Sequence, residues 1–174
     1  MSSIEVYLSE EKIKARIKEL GAMINRDYAG EEIFIVGVLN GAFMFAADLV
    51  REIKVPVTIE FISASSYGDA TESTGELKIN LDLKKDIKDQ HVIVVEDILD
   101  TGLTLTKLKE NFLKRSPKSF KIASFLFKPA RLKHPVDIDY LGFEIEDHFV
   151  IGYGLDFAGK YRELPYVGIY NPEA

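Results

Sequence analysis

The sequence predicts an α/β fold: a central, mostly parallel sheet flanked by helices. Three observations predict it. "IFIVGV" (Ile33–Val38), "HVIVVED" (His91–Asp97) and "FKIASFLF" (Phe120–Phe127) are apolar runs of the kind found in strands covered on both faces. The segments between them carry apolar residues at helical spacing. Buried strands that alternate with helices in this way argue for a doubly wound parallel sheet.

The elements follow in order. Ser9 is placed to cap a helix running from about Glu10 towards Tyr28, with Ile13, Ile17, Leu20 and Ile24 on one face. Ile33–Val38 is the first buried strand, "AFMFAADLVREI" a helix and "VTIEFI" (Val57–Ile62) the next strand. "ELKINLD" (Glu76–Asp82) alternates with period two, which suggests a strand wet on one side. "LTLTKLKENFLKR" reads as an amphipathic helix after "HVIVVED", and short apolar segments follow Phe127 to the C-terminus. "SASSYGDATESTG" (Ser63–Gly75) breaks the pattern, being polar and small-residue-rich between two strands; loops of that length often act as active-site lids, and Ser66 with Tyr67 is the pair that suggests one here.

The 174 residues suffice for one domain, 1–174, with a hydrophobic core, and there is neither an internal repeat nor a linker-like stretch. Composition is 47% hydrophobic and 29% charged. A net charge of −6 and a pI near 5.2 speak against a general nucleic-acid-binding surface. With no cysteine, disulfides, thiolate metal sites and a Cys nucleophile are excluded. "MSSIEVYLSEEKIK" has no apolar core of a signal peptide, and no apolar run is long enough to span a bilayer, so a soluble cytoplasmic protein is expected. His91, His134 and His148 stand at no metal-ligand spacing and read as structural or surface residues.

"VIVVEDILDTGLTL" (Val92–Leu105) sets Glu96, Asp97 and Asp100 directly after an apolar run. A carboxylate cluster repels itself and persists where a cation or a hydroxyl-rich ligand sits among the charges. On the expected sheet, Val92–Val95 is a central strand, Glu96–Thr104 the loop at its carboxyl end, and Leu105 onward the helix. Ligands of open α/β sheets bind there. The helix start offers N–H groups to a phosphate, Gly102 permits close approach, and Thr101 and Thr104 add hydroxyls. A sugar phosphate satisfies both the anion binders and the carboxylates. "GLDFAGKY" (Gly154–Tyr161) nearly spells a P-loop, but Tyr161 replaces the Ser or Thr that would bind Mg²⁺ and "RELPYVG" does not continue as a helix.

"VIVVEDILDTGLTL" resembles the phosphoribosyl pyrophosphate (PRPP) motif of type I phosphoribosyltransferases. "LFKPAR" (Leu126–Arg131) and "DHFVIGYGLDFAGKYRELPYVG" (Asp147–Gly168) resemble the purine-binding and C-terminal segments of the hypoxanthine (guanine) phosphoribosyltransferase family. With "GVLNGAFMF" (Gly37–Phe45) and the Ser66-Tyr67 loop in order, the resemblance covers most of the chain. It implies the type I phosphoribosyltransferase fold, with a small hood formed by terminal segments and a mobile lid loop. It implies that Glu96 and Asp97 face the ribose hydroxyls and a Mg²⁺. Asp100 would be general base or acid beside purine N7, and Asp100, Thr101, Gly102, Leu103 and Thr104 would wrap the 5′-phosphate. Leu39-Asn40-Gly41 is similar to the family's pyrophosphate loop, in which a non-proline cis peptide often sits; Asn40 stands where many members carry Lys or Arg. Lys128 would donate to the purine 6-oxo group, Phe149 would stack on the ring, and Val150 would read its edge through the backbone. Asp156 would sit by the purine and help hold Mg²⁺, and Arg162 would meet the pyrophosphate. The implied substrates are PRPP, hypoxanthine and guanine, in a homodimer or homotetramer.

Two other classes compete with the salvage enzyme. A regulator that keeps the fold as a PRPP sensor would need no base at Asp100 and would favour a more basic surface. A pyrimidine or adenine transferase would not use Lys128 and Phe149 in these roles.

Overall fold

The computed structural model describes residues 3–66 and 76–172. Six strands form the main sheet: β2 (Ile33–Val38), β3 (Val57–Ser66), β4 (Leu77–Leu81), β5 (His91–Leu99), β6 (Ser119–Phe127) and β7 (Tyr140–Glu144). Their order is β4-β3-β2-β5-β6-β7, with β4 antiparallel and the other neighbours parallel. The sheet is therefore mostly parallel with one antiparallel edge.

Ser9 caps α1 (Glu10–Asp27) by accepting the Lys12 amide at 3.3 Å. α2 (Phe43–Glu52) follows β2, and α3 (Leu103–Leu113) follows β5. Because successive strand residues point to opposite faces, β2 feeds two cores at once. Ile33 and Ile35 pack with Ile13, Ile17, Leu20, Phe45 and Leu49 of α1 and α2. Phe34 and Val36 pack with Leu105, Leu108 and Phe112 of α3. Each such side chain, fully buried, contributes about 1.5–3 kcal/mol.

A second sheet, β1-β9-β8, joins β1 (Ser3–Leu8) to β9 (Val167–Asn171) and β8 (Val150–Ile151), all antiparallel. This is the expected hood, built from segments near both ends of the described chain. Among the described residues no helix is long and apolar enough to cross a membrane.

Two expected boundaries are corrected. Ser63–Ser66 is not loop: it extends β3 and pairs with Leu77–Leu81. Small polar residues hide this pairing, because their backbone bonds depend on a partner strand that local composition does not register. Tyr67 and the rest of the expected lid lie outside the described residues. Likewise Glu96–Leu99 is strand, with Glu96, Ile98 and Leu99 in register with Ser124, Leu126 and Phe127 of β6, and α3 begins at Leu103 rather than Leu105. Acidic residues read as loop when only polarity is weighed, yet here they stand on an extended strand.

Candidate active site

Consecutive connections from β2 run to opposite sides: α2 leads to β3, while β5 lies on the other flank and leads through α3 to β6. The crevice at such a reversal, outside the carboxyl ends of the strands, is where open α/β sheets bind ligands. Two adjoining clefts open there. One, of about 330 Å³, is lined by Leu39–Gly41, by Glu96–Leu105, and by Asp156 and Arg162. The other, of about 630 Å³, is lined by Lys128, Arg131, Asp147, Phe149, Val150 and Leu155. Asp97, Ile98, Asp100 and Asp156 line both.

The first cleft is shaped by backbone. The Leu39–Asn40 peptide is cis. Gly41 must lack a side chain, since its Cβ would fall on the Asp97 carboxylate. Gly102 stands at φ 87°, a conformation glycine adopts without penalty, and its Cβ would strike the His134 carbonyl. That carbonyl belongs to a strap that braces the turn: the amides of Lys133 and His134 donate to the Thr101 carbonyl at 3.0 and 2.9 Å. The turn opens directly into α3, whose first N–H groups and positive dipole end suit an anion. Ser66 meets this turn through its hydroxyl, 3.2 Å from that of Thr104.

Glu96 is buried, and burial first, then the neighbouring Asp97 charge, pushes its carboxyl well above the usual range. The Asp97 amide donates to Glu96 Oε1 at 3.1 Å, and the Ile98 amide to Asp97 Oδ1 at 2.7 Å. Above the cleft, Arg162 donates to the Gly154 carbonyl at 2.6 Å and pairs with Asp156 at 3.2 Å. Asp156 also accepts the Gly159 amide at 2.8 Å. Residues 154–161 turn through a Phe157–Lys160 bridge with no helix after them, so the P-loop reading is excluded here.

The second cleft is shaped by side chains. Lys128 is only 9% exposed, unlike the surface lysine its sequence context alone suggests. Phe149 is the reverse, an aromatic 52% exposed, with one edge against Phe157 at 5.8 Å and 88°. Val150 lies in β8, and the neighbouring Phe149 carbonyl is taken by the Tyr170 amide at 2.9 Å. Sequence reasoning missed two members. Arg131 Nε donates to Asp100 at 2.6 Å, which holds the guanidinium still more firmly in its charged form. Asp147 lies 3.5 Å from Lys128 and 3.7 Å from Arg131. Both lie within Leu126–Arg131 and Asp147–Gly168, but Asp147 meets Lys128 and Arg131 across 19 and 16 positions of sequence, a pairing that local spacing does not signal.

His91 and His148 take structural positions. His91 sits edge-on to Tyr28 and bonds Ser119 at 2.6 Å, and His148 is exposed and pairs with Glu146 at 3.0 Å. Among the described residues no group of three or more His, Cys, Asp or Glu converges as a metal cage.

A glycine-shaped turn at a helix start beside strand-borne carboxylates, facing a cleft with an exposed aromatic and a buried lysine, defines a class of site with the chemistry to receive an anion on one side and a planar group on the other. The chain belongs to the phosphoribosyl transferase domain family, which matches residues 3–158. Among its relatives, the hypoxanthine phosphoribosyltransferase of Salmonella typhimurium is 48% identical over 168 residues, 95% of this chain and 94% of its own length. The hypoxanthine-guanine phosphoribosyltransferase of Bacillus subtilis is 44% identical, over 97% of this chain and 93% of its own. A crystal structure of a hypoxanthine-guanine phosphoribosyltransferase from Bacillus anthracis, with a HEPES molecule in its active site, superposes with a TM-score of 0.92 at 49% identity, covering 96% of this chain and 99% of that one.

Proposed function

We infer that this chain, as one domain over residues 1–174, is a purine salvage enzyme. It transfers phosphoribose from PRPP to hypoxanthine, and to guanine, giving IMP or GMP and pyrophosphate. The observation that carries the reading is the pair of clefts that share Asp97, Asp100 and Asp156 at their border. One suits a sugar phosphate, the other a base, and the bond to be made falls between them.

In the reaction the C1′–O bond to pyrophosphate breaks and a purine N–C1′ bond forms. Positive charge builds on the ribose and negative charge on the leaving group. In this reading the carboxylates of Glu96 and Asp97 face the ribose hydroxyls and tolerate the first, while Arg162 and the Leu39–Gly41 backbone meet the second. Asp100 takes the proton from purine N7 as the N–C1′ bond forms and passes it to solvent or the departing pyrophosphate; only in the reverse direction does it give a proton back to the purine. Lys128 donates to the 6-oxo oxygen, Phe149 stacks on the ring, and the Val150 backbone reads its edge. The turn Asp100–Thr104 holds the 5′-phosphate. Mg²⁺ fits this site as an ion that keeps several waters and substrate oxygens and needs only one or two carboxylates, of which Glu96, Asp97 and Asp156 are the candidates. When bound it supplies charge neutralisation on the leaving pyrophosphate. A soluble cytoplasmic homodimer or homotetramer completes the reading.

Pyrophosphate release with PRPP, Mg²⁺ and each of hypoxanthine, guanine and adenine tests it. Turnover is expected with the two oxopurines and almost none with adenine, because a lysine ammonium cannot accept from a 6-amino group. Binding of PRPP without turnover of any base would replace the enzyme by a PRPP-binding regulator.

A further inference from the structure

Pro129 opens a 3-10 turn, Pro129–Arg131, that the Arg131 amide closes on the Lys128 carbonyl at 3.1 Å. Residues three apart on such a turn project to one side. The sequence Lys-Pro-Ala-Arg thus brings an ammonium and a guanidinium into one cleft, where like charges repel, the more so because Lys128 is largely withdrawn from water. The two oxygens of Asp147 answer them separately: Oδ1 faces Lys128 at 3.5 Å and Oδ2 faces Arg131 at 3.7 Å. Arg131 Nε then donates to Asp100 at 2.6 Å. The result is a chain of alternating sign, Lys128, Asp147, Arg131, Asp100, across the floor of the second cleft.

We propose that Asp147 and Arg131 are positioning residues of this site: Asp147 holds Lys128 in place for an oxopurine, and Arg131 aims the Asp100 carboxylate. The inference rests on the functional reading above. Asp147 acts on base binding and Arg131 on the chemical step. Neither needs to touch PRPP.

Three variants and a double variant test it, with KM for each substrate and kcat measured separately. Asp147→Asn keeps the shape and removes the charge; KM for hypoxanthine is expected to rise roughly tenfold, the scale of one lost ion pair to a lysine withdrawn from water, with KM for PRPP within about twofold. Arg131→Met is expected to lower kcat by roughly tenfold or more with little change in KM for PRPP, and Arg131→Lys to recover part of that loss, since it restores charge but not the planar fork. The double variant carries the decisive sign. With Arg131 gone there is no second cation to drive Lys128 away, so KM for hypoxanthine should fall severalfold below that of Asp147→Asn alone. A KM that stays as high in the double variant, or that rises equally for PRPP and hypoxanthine in Asp147→Asn, overturns the proposal. Wild-type turnover reads the functional assignment by itself: an inactive wild type sinks both, while an active wild type with unmoved variants sinks only the positioning roles.

Discussion

The two clefts are built from different material. The Leu39–Gly41 and Asp100–Thr104 side is backbone: a cis peptide, a glycine at φ 87°, a missing Cβ under Asp97 and the open end of a helix. The Lys128–Asp156 side is side chains, drawn from segments far apart in sequence and held by ion pairs and ring edges. Backbone sites recognise what all ligands of a class share, a phosphate, and they tolerate no added atoms. Side-chain sites recognise what distinguishes one ligand from another, and they can be changed one contact at a time. The border residue Asp100 lines both.

Asp100→Asn cuts at that border and should have the largest effect. The amide keeps the volume and can still accept from Arg131, but it no longer serves as a base. General acid–base groups contribute about 10²–10⁴ in rate, so kcat is expected to fall into that range with nucleotide affinity little changed. Calorimetry with IMP beside steady-state turnover checks it; kcat within about threefold of wild type would take Asp100 out of the mechanism.

Gly102→Ala attacks the backbone side alone. The new Cβ meets the left-handed φ, which costs a non-glycine residue roughly 1–2 kcal/mol, and also the His134 carbonyl. The turn must move, and KM for PRPP should rise about tenfold or more, as expected when a binding group is displaced by an ångström or so. Thermal unfolding and the two KM values report it. Equal damage to KM for hypoxanthine would mean that the clefts do not separate in this way.

Lys128→Met attacks the side-chain side alone. It keeps the stem packed and deletes the donor, so kcat/KM for hypoxanthine should drop roughly 10–100-fold while KM for PRPP holds, and the gap to adenine should narrow. The comparison needs both bases on both proteins. If PRPP suffers as much as hypoxanthine, Lys128 is not reading the base.

The same division governs what could be read from the sequence. The buried strands and the three helices were legible because each carries its own periodicity, down to the Ser9 cap. The Asp-Thr-Gly turn was legible because the chemistry of a backbone anion site is local: the glycine, the hydroxyls and the helix start are neighbours in the chain. The end of β5 was misjudged: behind the polar Glu96 and Asp97, Ile98 and Leu99 read as loop, and only the register with Leu126 and Phe127 reveals them as strand. Lys128 and Phe149 became candidate site residues only through a family resemblance. Taken singly, one suggested the surface and the other the core, and each proved the opposite. Arg131 and Asp147 escaped altogether, because their meaning lies in a pairing across 16 positions of sequence that no local pattern records.

The smallest expected effect sharpens the comparison from outside both clefts. Tyr153, in the segment that carries β8, lays its ring on Phe125 at 4.8 Å and donates its hydroxyl to Asp48 of α2, tying the hood side to the main sheet. Burial first, and Asp48 next, push the Tyr153 phenol well above its ordinary value of 10.0. Tyr153→Phe keeps the packing and removes one hydrogen bond to a part-exposed carboxylate, so a loss of about 1.5 kcal/mol is expected, the low end for charged partners. A group whose pKa is raised on folding lends its stability in full below the unfolded value and loses it as pH climbs towards the folded one. The stability gap between wild type and Tyr153→Phe should therefore stay level from about pH 6 to 9 and shrink above about pH 10. Denaturant midpoints across that range would show it. If the tie acts mainly through the hood, KM for hypoxanthine should drift upward by about twofold to threefold with KM for PRPP fixed, on the scale that loosening one support costs a bound ligand. A drift in the PRPP value instead would mean that the hood stabilises the phosphate side, and that the clefts, though built from different material, are held by one frame.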